Sequence, residues 1–119
     1  MKKNSFLLLG YSSIARKRII NVFLKNRIEF SVASKSFNKD IDGAKKKFLD
    51  YNDALLNSGA NVVYISLPNS LHFNFAKKAL LLGYHVIVDK PMCYKLIESR
   101  QLIKLAKKKK EITFWSNLL

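Results

Sequence analysis

Phe6-Leu7-Leu8-Leu9-Gly10-Tyr11-Ser12-Ser13-Ile14-Ala15 is the stretch on which the reading of the fold turns. Phe6 to Leu9 is apolar throughout and stops at Gly10, the pattern of a strand buried on both faces. Ser12 or Ser13 can then cap a helix whose inward face is Ala15, Ile19, Val22 and Phe23, spaced by three and four. Strand, glycine turn and helix in that order make the first unit of a fold that alternates them.

The same alternation continues to the end of the chain. Ile28 to Ser34 is a second strand, and Lys39 to Phe48 reads as a short helix with Asp40 near its start and lysines toward its end. The stretch from Ser34 to Asp53 is tight, so a third strand near Phe48 to Tyr51 is expected to be rudimentary. Asn52 or Asp53 caps another short helix, which runs through Leu55 and Leu56 to a stop at Ser58-Gly59. Val62 to Ile65 is a buried strand; Ser70 opens a helix with His72, Ala76, Ala79 and Leu80 on one stripe, ended by Gly83. His85 to Val88 is a further strand, the last helix carries Leu96, Leu102, Ile103 and Ala106, and Ile112 to Trp115 closes as a strand. The expected fold is therefore α/β, a three-layer doubly wound parallel sheet in a single domain over residues 1–119.

Composition narrows the function classes. The lone Cys93 rules out an internal disulfide and suits a reducing compartment, so a cytoplasmic protein is expected. The apolar run after Met1-Lys2-Lys3 is too short for a signal peptide, and no run approaches the ~18–20 apolar residues of a membrane span. A net charge of +14 suits nucleic acid, an anionic surface or a phosphorylated ligand. Much of it lies in Lys45-Lys46-Lys47, Lys77-Lys78 and Lys107 to Lys110, which solvated helix faces explain; neither nucleic acid nor membrane is the expected partner.

Right-handed crossovers bring the carboxyl ends of parallel strands to one edge, where such sheets bind ligands. Gly10 to Ser13, Ser34-Lys35, Pro68-Asn69 and Asp89-Lys90 all fall at such ends. Gly10-Tyr11-Ser12-Ser13-Ile14-Ala15 occupies the place of a G-x-G-x-x-G/A phosphate turn, with Ser12 where the middle glycine stands. Backbone amides at the helix start would face a pyrophosphate. By itself this motif equally describes any Gly-Ser turn before a helix. The second strand ends in Ser34-Lys35-Ser36 where an acidic residue ordinarily holds the ribose hydroxyls. Two hydroxyls and an ammonium there can hold a 2′-phosphate, which favours NADP(H) over NAD(H). The plain alternative is that Lys35 is one more surface lysine.

From Asn61 onward the chain resembles the family of glucose-fructose oxidoreductase, inositol dehydrogenase and MocA. The residues that carry the likeness are Val63-Tyr64-Ile65-Ser66-Leu67-Pro68-Asn69-Ser70-Leu71-His72, then Ala79-Leu80-Leu81-Leu82-Gly83, then His85-Val86-Ile87-Val88-Asp89-Lys90-Pro91. They match a Pro-Asn-x-x-His turn, an Ala-Leu-x-x-Gly helix end and a Glu-Lys-Pro tripeptide, in that order and spacing. The opening Gly10 to Arg18 also resembles members that act as 3-ketoreductases on nucleotide-linked deoxysugars.

The resemblance implies an NAD(P)-dependent oxidoreductase domain and roles for particular residues. Leu67, Pro68 and Asn69 would line the dinucleotide, with His72 close to the nicotinamide-side ribose or pyrophosphate. Asp89 stands where the family has Glu and would accept bonds from the nicotinamide ribose, with one methylene less reach. Lys90 would be the catalytic cation beside the hydride-transfer site, polarising the substrate oxygen; Pro91 would follow a cis bond that aims it. Read without the family, His72 is a hydrogen-bonded core histidine and Asp89-Lys90 a surface ion pair. No metal is expected, because His72 and His85 lie on different elements with no acidic cluster. His85, Cys93, Phe73, Phe75 and Trp115 read as structural or interface residues.

Family enzymes continue into an α+β substrate domain, which is expected to be absent from this chain. The apolar end Phe114-Trp115-Ser116-Asn117-Leu118-Leu119 then implies self-association or a partner chain. Two functions are compatible with the residues: the cofactor half of a sugar-type oxidoreductase that needs a substrate domain from elsewhere, or a non-catalytic dinucleotide- or anion-binding module.

Overall fold

The run Leu7-Leu8-Leu9 is apolar without alternation because both faces of its strand are covered, each of the three side chains being 0% exposed. The computed structural model describes residues 4–10, 18–35, 43–89, 96–109 and 113–116. Strand β1 (Ser5–Leu9) sends Leu7 and Leu9 into the larger of two apolar clusters, with Val63, Ile65, Val86 and Val88 from neighbouring strands. Leu8 goes to the opposite face, among Phe30, Val32 and Tyr64. Helices complete the layers.

On the larger side lie α2 (Tyr51–Asn57), α3 (His72–Leu81) and α4 (Leu96–Lys109), which contribute Ala54, Leu55, Ala76, Ala79, Leu80, Leu102 and Ala106. On the other lies α1 (Ile20–Lys25), contributing Ile20 and Phe23 together with the preceding Ile19. The buried stripe of α3 is His72, Ala76, Ala79 and Leu80, the one read from its spacing. Small alanines let this helix lie close to the sheet, and Phe73 and Phe75 pack against the same cluster.

With β2 (Glu29–Ala33), β3 (Lys47–Phe48), β4 (Val62–Ile65), β5 (His85–Asp89) and β6 (Thr113–Ser116), the six strands stand in the order β3-β2-β1-β4-β5-β6. Every neighbouring pair is parallel. The register aligns Leu9 with Ala33 on one side and Ile65 on the other, and Ile65 with Val88. The chain therefore builds outward from β1 in one direction, returns, and builds outward from β4 in the other.

Several local expectations are corrected. The helix expected over residues 39–48 is not formed across 43–48, where the chain pairs with β2 instead: Lys45 N–H donates to Phe30 O (2.8 Å) and Val32 N–H to Lys46 O (3.0 Å). A lysine run with one aromatic has no helical apolar stripe to bury, whereas a strand needs only Phe48 to turn inward. The third strand thus exists but ends at Phe48, and Tyr51 opens α2. The cap of α2 is Asp50, whose carboxylate accepts the Asp53 N–H at 2.8 Å, and not Asn52 or Asp53. Ser70 lies in a 3₁₀ turn (Asn69–Leu71) ahead of α3, which begins without a side-chain cap.

The inward face of α1 is rotated as well. Val22 is 51% exposed and Ile20 takes its place beside Ile19 and Phe23. Residues 18–19, directly before α1, are wound more widely than an α-helix.

Candidate functional site

The strand order reverses between β1 and β4, and their carboxyl ends meet where Gly10 leaves one strand and Ser66 leaves the other. Crevices at such reversal points are where open α/β sheets bind ligands. The edge is held by backbone bonds in series. Ser34 N–H donates to Phe48 O (3.0 Å), Gly10 N–H to Ala33 O (2.8 Å) and Ser66 N–H to Leu9 O (2.8 Å). These bonds tie the ends of β3, β2, β1 and β4 into one rim.

Gly10 has a φ of +94°, and a β-carbon on it would overlap the Ser66 carbonyl oxygen and lie 2.9 Å from its carbon. The glycine is thus required by the approach of β4, which is the tight-turn role of the first fingerprint glycine. The remaining residues read as the phosphate turn, Ser12, Ser13, Ile14 and Ala15, lie outside the described residues, as do Ser36, Lys90, Pro91 and Cys93.

Beyond β4 the chain runs through Ser66, Leu67 and Pro68 into the 3₁₀ turn, where Leu71 N–H donates to Pro68 O (2.9 Å). Leu67 is buried against the core and Pro68 faces outward. His72 is 0% exposed, with its Nε2 2.8 Å from Leu67 O. A carbonyl only accepts, so the hydrogen is on Nε2. The ring is enclosed, and its bond to the Leu67 carbonyl holds the turn that follows β4.

At the end of β2, Ser34 is buried while Lys35 is exposed, its ammonium 5.6 Å from the centroid of the Tyr51 ring. Among the described residues no carboxylate is within ion-pair distance of Lys35; the salt bridge that is present joins Lys45 to Glu29 (3.2 Å) far along the strand. Tyr51 was invisible to sequence reasoning as a neighbour of the site. Its only signal is an aromatic at the first position of the helix that follows the short third strand. Asp89 closes β5 at the same sheet edge, in register with Ser116.

Two cavities lined by described residues lie away from this edge. One of about 800 Å³ opens at the amino-terminal edge, lined by Asn4, Phe6, Asn26, Arg27, Ile28 and Glu29. A groove of about 270 Å³ runs between α2 and α3, lined by Asn52, Leu55, Leu56, Lys78, Leu81 and Leu82. Backbone topology, and not cavity size, marks the ligand edge. Among the described residues no helix is long and apolar enough to cross a membrane. Of the apolar C-terminal segment, residues 117–119 lie outside those described.

Residues 6–117 match the Gfo/Idh/MocA family, an oxidoreductase family with an NAD-binding Rossmann fold. The dTDP-3,4-didehydro-2,6-dideoxy-alpha-D-glucose 3-reductase of Streptomyces violaceoruber is 30% identical over 106 residues, covering 84% of this chain and 31% of the reductase. The WlbA dehydrogenase of Chromobacterium violaceum, in complex with NADH and UDP-GlcNAcA, superposes with a TM-score of 0.87 at 24% identity, over 98% of this chain and 35% of that one. The 3-ketoreductase KijD10 of Actinomadura kijaniata, in complex with NADP and TDP-benzene, gives a TM-score of 0.88 at 20% identity, over 97% and 37% of the two chains. At these identities the structural likeness shows the fold. The chain spans between 14% and 31% of the length of the curated relatives it matches. Because the family match runs from β1 to β6, the protein belongs to the Gfo/Idh/MocA oxidoreductases, and its parallel sheet is their NAD-binding Rossmann fold.

Proposed function

We propose that this chain is the cofactor half of an NADP(H)-preferring oxidoreductase acting on a sugar hydroxyl or the matching ketone. The sugar is held by a substrate domain supplied elsewhere in the same protein or by another chain. The observation that carries the reading is the reversal point between β1 and β4, closed by Gly10 against Ser66 and flanked by a β2 end with Lys35 and, among the described residues, no carboxylate within ion-pair distance of it. An edge built from Gly10, Ser34, Lys35, Ser66 and the Leu67-Pro68 turn fits an anionic dinucleotide, since its described side chains are small, neutral or cationic. Relatives bound to NADH, to NADP and to nucleotide-linked ligands support the same class of cofactor and substrate.

The bound nicotinamide supplies or accepts the hydride. The chain's own residues bind and orient. Ser12 to Ala15 are assigned to the pyrophosphate, and Ser34, Lys35 and Ser36 to the adenosine ribose and its 2′-phosphate. Leu67, Pro68 and Asn69 line the cofactor, and His72 keeps that turn in place through the Leu67 carbonyl. Asp89, at the end of β5, accepts from the nicotinamide ribose. Lys90 follows it and is assigned the cation beside the substrate oxygen, where positive charge stabilises a developing alkoxide.

Fluorescence titration with NADPH and NADH tests the reading. Saturable binding of both is expected, tighter for NADPH, with Lys35→Glu weakening NADPH about tenfold or more through lost attraction and new repulsion. Absence of saturable binding at millimolar concentrations of either would sink it. A second reading, an anion-binding module without catalysis, rests on the +14 charge. Salt-sensitive retention on DNA without NADPH binding would select that one.

A further inference from the structure

We infer that Tyr51 is a positioning residue for cofactor discrimination: its ring face holds the Lys35 ammonium ready for a 2′-phosphate at the end of β2. The inference rests on the dinucleotide reading of this edge and deepens it.

Sixteen positions separate the two residues in sequence, and the sheet brings them together. Pairing of β3 with β2 ends in the bond from Ser34 N–H to Phe48 O, which sets the chain beside the end of β2. Asp50 then caps α2 through the Asp53 N–H (2.8 Å), so the helix starts at Tyr51, next to Lys35. The ring is itself held by the core. Tyr51 is partly buried against the larger cluster and meets Phe75 edge to face, with centroids 5.4 Å apart at 86°. Lys78 lies 5.0 Å from the Phe75 centroid and donates to Asn52 Oδ1 (3.0 Å), tying α3 to the start of α2.

A ring face and a carboxylate would position this lysine with opposite consequences. A carboxylate would neutralise the ammonium and compete with an incoming phosphate, whereas a ring quadrupole holds the cation without adding negative charge. Lys35 has no carboxylate within ion-pair distance among the described residues. Restricting a long, rotamer-rich side chain before binding reduces the ordering cost met when the phosphate arrives. The 2′-phosphate is the group that separates NADP(H) from NAD(H), so the benefit falls on one cofactor only.

The test is the ratio of NADH to NADPH dissociation constants, by fluorescence titration, for the wild type and for Tyr51→Leu, Tyr51→Phe and Lys35→Gln. Tyr51→Leu is expected to weaken NADPH about two- to five-fold, the size of an exposed cation–π contact, and leave NADH unchanged. Tyr51→Phe keeps the ring and is expected to keep the ratio. In the Lys35→Gln background, Tyr51→Leu is expected to change nothing further. Tyr51→Met serves the same purpose if the leucine variant fails to give the wild-type circular dichroism spectrum. Three results would overturn the inference: an unchanged ratio in Tyr51→Leu while Lys35→Gln lowers it, tighter NADPH binding without the ring, or equal losses in Tyr51→Phe and Tyr51→Leu. A failure of both nucleotides to bind the wild type would instead overturn the dinucleotide reading itself.

Discussion

Gly10 and Ser66 meet backbone to backbone: a β-carbon on Gly10 would run into the Ser66 carbonyl and stand 3.0 Å from Leu67 Cδ2. This contact joins the first strand to the fourth at the place where the sheet changes direction. A side chain there is excluded twice, by the φ of +94° and by main chain that has nowhere to go.

Gly10→Ala is therefore expected to destabilise the fold by about 2–4 kcal/mol, combining the left-handed penalty with a backbone clash. Gly59 provides the control. It has a φ of +73° with nothing within 4 Å, so Gly59→Ala should cost only about 1–2 kcal/mol. Urea denaturation of the two variants checks this, and equal losses would show that the Ser66 contact contributes nothing.

Arg27 is a left-handed residue without being glycine, at φ 53° just after α1. Ile28 N–H donates to Phe23 O (2.8 Å), the bond that ends a helix in a Schellman motif, whose left-handed position favours glycine. Arg27→Gly is expected to raise stability by about 1 kcal/mol, visible as a higher urea midpoint at unchanged slope.

Asp50, and not its neighbours, starts α2. Asp50→Ala should cost about 1 kcal/mol through the lost bond to the Asp53 N–H. Asn52→Ala, which removes only an exposed bond to Lys78, should stay within about 0.5 kcal/mol. A reversed order in thermal melts would return the cap to Asn52.

Tyr84 is buried, and its hydroxyl donates to Leu55 O (2.6 Å) while lying 3.1 Å from Ser58 Oγ. With its single hydrogen used on Leu55, the Tyr84 oxygen accepts from the Ser58 hydroxyl. Tyr84→Phe leaves a buried carbonyl and hydroxyl without this partner, a loss of about 1–3 kcal/mol. Burial pushes the phenol above its ordinary 10.0, against a smaller opposing effect of the Ser58 bond. A raised folded value means the contribution is complete below 10.0 and is lost as pH rises through the raised value. The stability difference between wild type and Tyr84→Phe should hold steady below that point and shrink above it; a difference that grows with alkali would contradict the burial.

His72→Leu should cost about 1–3 kcal/mol by leaving the Leu67 carbonyl unpaired in the core. His72→Gln, which keeps a donor, is expected to recover part of it. If instead His72→Leu folds with wild-type stability and loses only cofactor affinity, the residue belongs to the ligand surface.

What was legible in the sequence follows from which signals are local. An unbroken apolar run cut off by a glycine, as Phe6-Leu7-Leu8-Leu9 is by Gly10, reads as a strand covered on both sides, and the stripe His72, Ala76, Ala79, Leu80 reads as one helix face. Together with the Pro68-Asn69 and Asp89-Lys90-Pro91 motifs, those patterns determined the class of fold, the family and the edge on which to look for the site. Weak segments were decided by their partners. Lys45 to Phe48 has no amphipathic period of its own, so the open edge of β2 made it a strand. The apolar face of α1 fell on Ile20 and Phe23 and left Val22 exposed, a choice made by how the helix lies on the sheet. The histidine of the Pro-Asn-x-x-His turn carries the same letters whether it faces ligand or core, and only the arrangement of α3 on the sheet put its nitrogen on the Leu67 carbonyl. In the same way no spacing rule relates Lys35 to Tyr51, because the contact is made by strand pairing and helix capping, interactions whose geometry exists only once the sheet is assembled.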